Sequence, residues 1–387
     1  MSKPLGLYVH WPFCVSKCPY CDFNSHVREA VDHNRWKEAL LKELKYVGEQ
    51  TRGRTLTSVF FGGGTPSLMD PNTVHAVIES LPQYWQVDNP EITLEANPNS
   101  VEIEKFRDFR AAGVNRVSLG IQSLQEDALK FLGRAHSVNE ATRAIEIAAQ
   151  TFERYSFDLI YARPDQTVET WEKELTEAMS LVRDHISLYQ LTIEPGTAFH
   201  TAYARKDFSL PQGEQAARLF ERTNEILQDK GIERYEVSNH ARVGRECQHN
   251  LVYWRYQDYA GIGPGAHGRL TLDGQKVATQ CYRAPETWLE HVEAHGHGVQ
   301  NQTELSSQEQ IIETLMMGLR LKDGINRPDF QDSHKRDFLE VLDNAKISAL
   351  VKEGYVILDD VALKTTDEGL LRLNALLSYL TETIRTD

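Results

Sequence analysis

No apolar run in this 387-residue chain approaches the roughly 20 residues that a membrane-crossing helix needs, so no helical span is expected. The opening Met1-Ser2-Lys3-Pro4-Leu5 leads into no long apolar stretch, and no secretory leader is expected either. Cysteine is scarce: five residues, three of them clustered, do not make a disulfide framework. Basic residues are in deficit, 42 against 56 acidic ones, and the resulting net charge of −14 repels phosphate backbones. With no local basic stripe to offset it, nucleic-acid binding is not expected. Clustered free thiols point instead to a reducing, cytoplasmic setting.

The three clustered cysteines, Cys14, Cys18 and Cys21, stand as C-x3-C-x2-C just after the apolar run Leu5–Val9, with no fourth cysteine nearby. Thiolates are the usual protein ligands of iron–sulfur clusters, and three of them on a four-iron cubane leave one iron open to a ligand that is not protein. The alternative is a structural zinc closed by His10 or His26, because zinc accepts three cysteines and one histidine in a tetrahedron.

Short apolar segments recur at Leu7–His10, Ser58–Phe61, Glu91–Ala96, Arg116–Ile121, Ser156–Tyr161 and Ile186–Ile193. Helix start signals lie between them, such as Asp70-Pro71 and the Ser137-x-x-Glu140 capping box. This alternation predicts an α/β fold with a parallel sheet, either open or curled into a full or partial (β/α) barrel. In each case ligands gather at the C-terminal strand ends. Cys14, Cys18, Cys21, the run Gly62-Gly63-Gly64-Thr65, Glu95, Gln122 and Asp158 all fall there and are expected to face one mouth.

The regularity stops after the helical stretch Gly213–Lys230. The aromatic and glycine-rich residues that follow read as a connector. From Ser306 the pattern becomes helix, helix, a hairpin (Val356–Leu358 and Val361–Leu363) and a final helix opened near Thr366, the order of a winged-helix-like module. The expected division is 1–235 for the barrel, 236–300 for the connector and 301–387 for the module. Acids outnumber bases in the module, which favours packing or partner contact over DNA.

A glycine run one strand after a cysteine triplet resembles the radical S-adenosylmethionine superfamily. More specifically, Tyr8-Val9-His10-Trp11-Pro12-Phe13-Cys14, Glu95-Ala96-Asn97-Pro98, Gly120-Ile121-Gln122-Ser123, Leu132-Gly133-Arg134-Ala135-His136 and Phe157-Asp158-Leu159-Ile160 resemble the coproporphyrinogen dehydrogenase (HemN) and heme chaperone (HemW) family. The resemblance implies a partial barrel of six strands and a [4Fe-4S] cluster on Cys14, Cys18 and Cys21. It puts Gly63, Gly64 and Thr65 on the methionine portion of S-adenosylmethionine, and Arg134 on its carboxylate. Tyr8, Glu95, Gln122 and Asp158 complete that pocket, the last two on ribose hydroxyls.

Two departures separate the branches. The dehydrogenase branch has a further cysteine after the equivalent of Cys21, with one residue between, where this chain has Phe23, and it carries an extension before the equivalent of Tyr8. In contrast, His249-Asn250-Leu251-Val252-Tyr253-Trp254 matches the chaperone branch's H-N-x-x-Y-W motif. The expectation is a heme chaperone, with His249 on the heme iron and Tyr253 and Trp254 against the macrocycle, passing heme to apo-hemoproteins such as respiratory enzymes. The rival is an oxygen-independent coproporphyrinogen III dehydrogenase, or another tetrapyrrole-modifying radical enzyme served by a low-potential electron donor. Cys247 reads as a small buried hydrophobe, and His291, His295 and His297 as a solvated helix end without a role.

Overall fold

The structure, a computed structural model, describes residues 4–384. The six expected strands form the centre of one sheet: Pro4–Trp11, Thr55–Gly63, Gln86–Ala96, Arg116–Gln122, Arg154–Tyr161 and His185–Gln190. Each is parallel to its neighbour, so each connection must return across the sheet, and helices make the return. Strand order is linear rather than closed, which makes this a partial barrel. Alternation along the first strand sends Leu5, Leu7 and Val9 into the core under the helices, and Gly6, Tyr8 and His10 to the inner face. The helix His33–Gln50 meets that core with Trp36, Leu40, Leu44 and Val47. The expected helix starts are present: Asp70 accepts from the Asn72 N–H, and Ser137 and Glu140 cap each other.

A seventh parallel strand, Asp258–Ile262, lies on the outer side of the first, with Tyr8 opposite Gly261. Three antiparallel strands, His267–Leu272, Gln275–Cys281 and Val299–Glu304, continue the sheet beyond it. On the far edge Asn239–Ala241 and Glu233–Arg234 add two short antiparallel strands. Much of the segment read as a connector is therefore sheet. Its glycines hid this: a Cβ on Gly261 would run into the His267 carbonyl, so close backbone approach replaces the apolar side chain that normally marks a strand.

The extension is tied to the barrel through Glu43, a fully buried carboxylate. It accepts from Gly263 N (2.7 Å), Gly298 N (2.6 Å), Trp288 Nε1 (2.9 Å) and the Cys281 thiol (3.5 Å). Burial pushes Glu43 up to about 7 even though these donors favour its ionised form. Beside it Trp36 and Trp288 stack with centroids 5.2 Å apart.

The C-terminal residues build helices Ser307–Gly318, Arg327–His334 and Asn344–Lys352 around a small sheet of Ile325–Asn326, Ala362–Thr365 and Val356–Leu358. Phe330, Phe338, Leu315 and Leu363 form its core, which Phe220 of the helix Glu214–Asp229 joins from the barrel side. Among the described residues no helix is long and apolar enough to cross a membrane.

Candidate cluster and cofactor site

Cys14, Cys18 and Cys21 lie on a loop closed at its base by pairing of Phe13–Cys14 with His26–Val27. The loop is held from two further directions. Gly64 N donates to Trp11 O (2.7 Å) and Thr65 N to Phe13 O (2.8 Å), which ties it to the glycine run after the second strand. A Cβ on Gly64 would stand 2.7 Å from the Phe13 carbonyl oxygen, so only glycine lets the two loops meet. On the other side the Asn24 amide donates to the carbonyls of Pro264 and Arg283, both at 2.9 Å.

All three sulfurs face one cavity of about 220 Å³, and each meets a polar group. Thr65 Oγ1 donates to Cys14 Sγ (3.5 Å), Arg134 Nη1 donates to Cys18 Sγ (3.2 Å), and Ser25 Oγ lies 3.8 Å from Cys21 Sγ. Such groups stabilise thiolates. The zinc alternative fails on its histidines. His10 is bonded through Nδ1 to the Tyr8 hydroxyl and through Nε2 to Asn24 O, both at 2.9 Å, and burial lowers it to about 4. His26 gives Nε2 to Asn24 Oδ1 (3.3 Å) and does not line the cavity that the three thiols share. Three thiols around an open cavity that neither His10 nor His26 lines suit a cubane.

The same cavity takes in Gly63, Gly64, Thr65, Glu95, Gln122, Arg134 and Asp158, so the expected residues do share one mouth. Tyr8 lies one layer deeper, in an adjoining cavity that shares Gly63 and Glu95. Gly63 N donates to Glu95 Oε2 (3.2 Å). Burial, reinforced by Asp158, pushes Glu95 up to about 8, and burial holds Asp158 near 6. Arg134 is fixed by Asn97 Oδ1 (2.5 Å) and Gly120 O (2.9 Å), which aims its guanidinium across the cavity mouth. Asn97 went unassigned in the sequence. It bridges Arg134 to Thr65 Oγ1 (3.1 Å), and its position directly after the third strand was the available signal.

The H-N-x-x-Y-W motif forms the helix Gln248–Trp254, packed against the opposite end of the first two strands. His249 is buried, with Nδ1 on Ser58 Oγ and Nε2 on the Tyr253 hydroxyl, both at 2.8 Å. Burial lowers it to about 3. The imidazole expected on a heme iron thus has no nitrogen to give in this arrangement, because both are satisfied within the fold. Cys247 donates to Glu91 and is likewise buried, its thiol pushed up to about 12. Trp254 sits under the Arg320 guanidinium, 4.7 Å from ring centroid to Cζ, away from Tyr253, which lines the cavity next to Tyr8. His291 and His297 stack on Tyr282 and Tyr46, and His295 lies beside His291.

Residues 8–178 match the model of the radical SAM superfamily, and residues 305–372 that of the HemN C-terminal domain. The chain is 38% identical to a mitochondrial radical S-adenosyl methionine domain-containing protein 1 of Danio rerio, over 96% of this chain and 86% of that one. It is 36% identical to the heme chaperone HemW of Escherichia coli K12, over 97% of each. Its backbone follows that of the coproporphyrinogen III oxidase HemN of E. coli with a TM-score of 0.80, over 98% of this chain and 91% of that one, at 23% identity, which speaks for the fold. A cysteine triplet at the mouth of a partial barrel, with full-length identity of this order, places the chain in the HemN/HemW family of the radical S-adenosylmethionine superfamily.

Proposed function

We propose that the protein is a heme chaperone of the HemW type, which binds heme and passes it to apo-hemoproteins. The observation that carries this is collinearity with the E. coli heme chaperone, at 36% identity from end to end of both chains. Phe23, standing 59% exposed at the cavity mouth where the dehydrogenase branch has a cysteine, supports the same branch.

In this reading Cys14, Cys18 and Cys21 hold a [4Fe-4S] cluster. Gly63, Gly64, Thr65 and Arg134 hold the amino-acid end of S-adenosylmethionine, with Tyr8, Glu95, Gln122 and Asp158 around the remainder. Bound together, the two cofactors supply one-electron chemistry, which would require a low-potential donor. The chain's own part is to orient them and to keep water from the open iron. Arg134 is suited to the carboxylate because its planar fork matches two oxygens. The motif of His249, Tyr253 and Trp254 belongs to heme handling, with Tyr253 as the member that reaches a cavity. Residues 1–235 serve as the barrel, 236–300 extend its sheet and carry the motif, and the winged-helix-like module 301–387 serves packing or partner contact. The working compartment is the cytoplasm, where thiolate-held clusters persist, and the acceptors are hemoproteins such as respiratory enzymes.

The test is to titrate anaerobically reconstituted protein with hemin and follow transfer to an apo-hemoprotein, then offer the same preparation coproporphyrinogen III. Saturable hemin binding with transfer and no porphyrinogen consumption is expected. Protoporphyrinogen IX formation without heme transfer would establish the enzyme instead.

A further inference from the structure

We infer that the heme iron is met by His267, in a cavity beside the cofactor site, and that buried His249 serves this cavity from beneath by holding Tyr253. The inference rests on the chaperone reading. The cavity, about 440 Å³, opens between the barrel mouth and the sheet extension and shares Phe23, Gly63 and Glu95 with the cluster cavity. That volume falls within the range of small-molecule sites and is open enough to leave part of a macrocycle outside, as a cargo that must be handed on requires.

Three imidazoles approach this cavity, and their hydrogen bonds distinguish them. His10 is spent on Tyr8 and Asn24, and His249 on Ser58 and Tyr253. His267, at the start of the strand His267–Leu272, is exposed, and among the described residues its ring makes no hydrogen bond. Its ring thus has a nitrogen to offer a metal at the cavity wall, which neither His10 nor His249 has. Coordination displaces water from the iron, and no electron changes hands.

The surroundings suit a flat, acidic macrocycle. Tyr253 and Tyr259 meet edge to face at 4.6 Å, and Phe23 offers an exposed ring at the mouth. Arg283 is exposed at the rim and, among the described residues, pairs with no carboxylate, so it is available to a propionate. A wider cleft of about 880 Å³ lies across Phe23, between the barrel mouth and Leu370–Ala375, but among the described residues no histidine, cysteine or methionine lines it. It offers tyrosines as iron ligands, but burial raises Tyr20, Tyr161 and Tyr189 away from the phenolate that iron takes.

The experiment titrates hemin into full-length, cluster-loaded parent, His267→Ala and His249→Ala proteins, recording the Soret band, iron and sulfide content and S-adenosylmethionine binding. His267→Ala should shift the Soret band and weaken hemin by about tenfold or more, with added imidazole restoring the parent spectrum. Cluster and S-adenosylmethionine binding should be unchanged. His249→Ala should keep the histidine-type spectrum and bind hemin more weakly, because Tyr253 loses its support. A parent-like Soret band and affinity in His267→Ala would overturn the assignment, as would loss of the histidine signature in His249→Ala alone. A parent that binds no hemin would instead refute the chaperone reading on which the assignment rests.

Discussion

Replacing Glu43 by glutamine tests how the sheet extension holds the cluster loop. Glu43 Oε1 accepts from Gly298 N and Cys281, and Oε2 from Gly263 N and Trp288 Nε1. Whichever way a glutamine amide lies, its NH2 group faces one of these donor pairs and strands it. At about 1–3 kcal/mol for each buried donor left unmade, two stranded donors should make Glu43→Gln cost about 2–6 kcal/mol. The damage should travel, because Gly263 adjoins Pro264, whose carbonyl holds Asn24 on the cysteine loop. Faster loss of cluster iron to a chelator is therefore expected.

The pH dependence of that cost has a definite sign. Glu43 is raised from its ordinary 4.5 to about 7 in the fold. Its protonated form therefore stabilises the folded state fully below pH 4.5, and this is lost as pH rises through 7, by at most about 3 kcal/mol. Glutamine does not titrate, and the groups common to both proteins cancel in the difference. Urea unfolding from pH 5 to 8 should show the gap between parent and variant narrowing as pH rises. A gap that stays constant or widens, together with parent-like iron retention, would refute the argument.

Alanine at Cys14, Cys18 or Cys21 should sharply reduce iron and sulfide per chain after anaerobic reconstitution, whereas Cys281→Ala, whose thiol is buried on Glu43, should leave them near the parent's level. Full cluster content in all three variants would remove the cluster from this loop. Arg134→Ala should weaken S-adenosylmethionine, measured calorimetrically, by about 1.5–3 kcal/mol at retained iron content. It should also shift the cluster potential, because the hydrogen bond to Cys18 goes with it. Unchanged affinity would mean that the carboxylate is held elsewhere.

The six barrel strands and the cysteine and glycine loops were legible because their signals are local: alternation, strand-end turns and fixed spacing. What escaped was long-range. Glu43 is one polar residue on an amphipathic helix until Gly263 and Gly298, more than 200 positions away, converge on it. Asp258–Ile262 was hidden by the glycines its packing needs. His249 stood out by its motif, but a motif does not say which surface a helix buries, and here it buries the imidazole. His267 has no informative spacing, and only the cavity around it draws attention to it.

The Asn24 tie sets an order of events. The cysteine loop is complete in sequence once its first 27 residues exist, yet the two carbonyls that grip it belong to Pro264 and Arg283. During synthesis the thiols emerge long before their clamp, and strand pairing across so many positions forms slowly. Cluster insertion should therefore be a late step, after the strand Asp258–Ile262 has joined the first strand. A nascent or truncated chain ending near residue 235 would present three unprotected thiols rather than a loadable site.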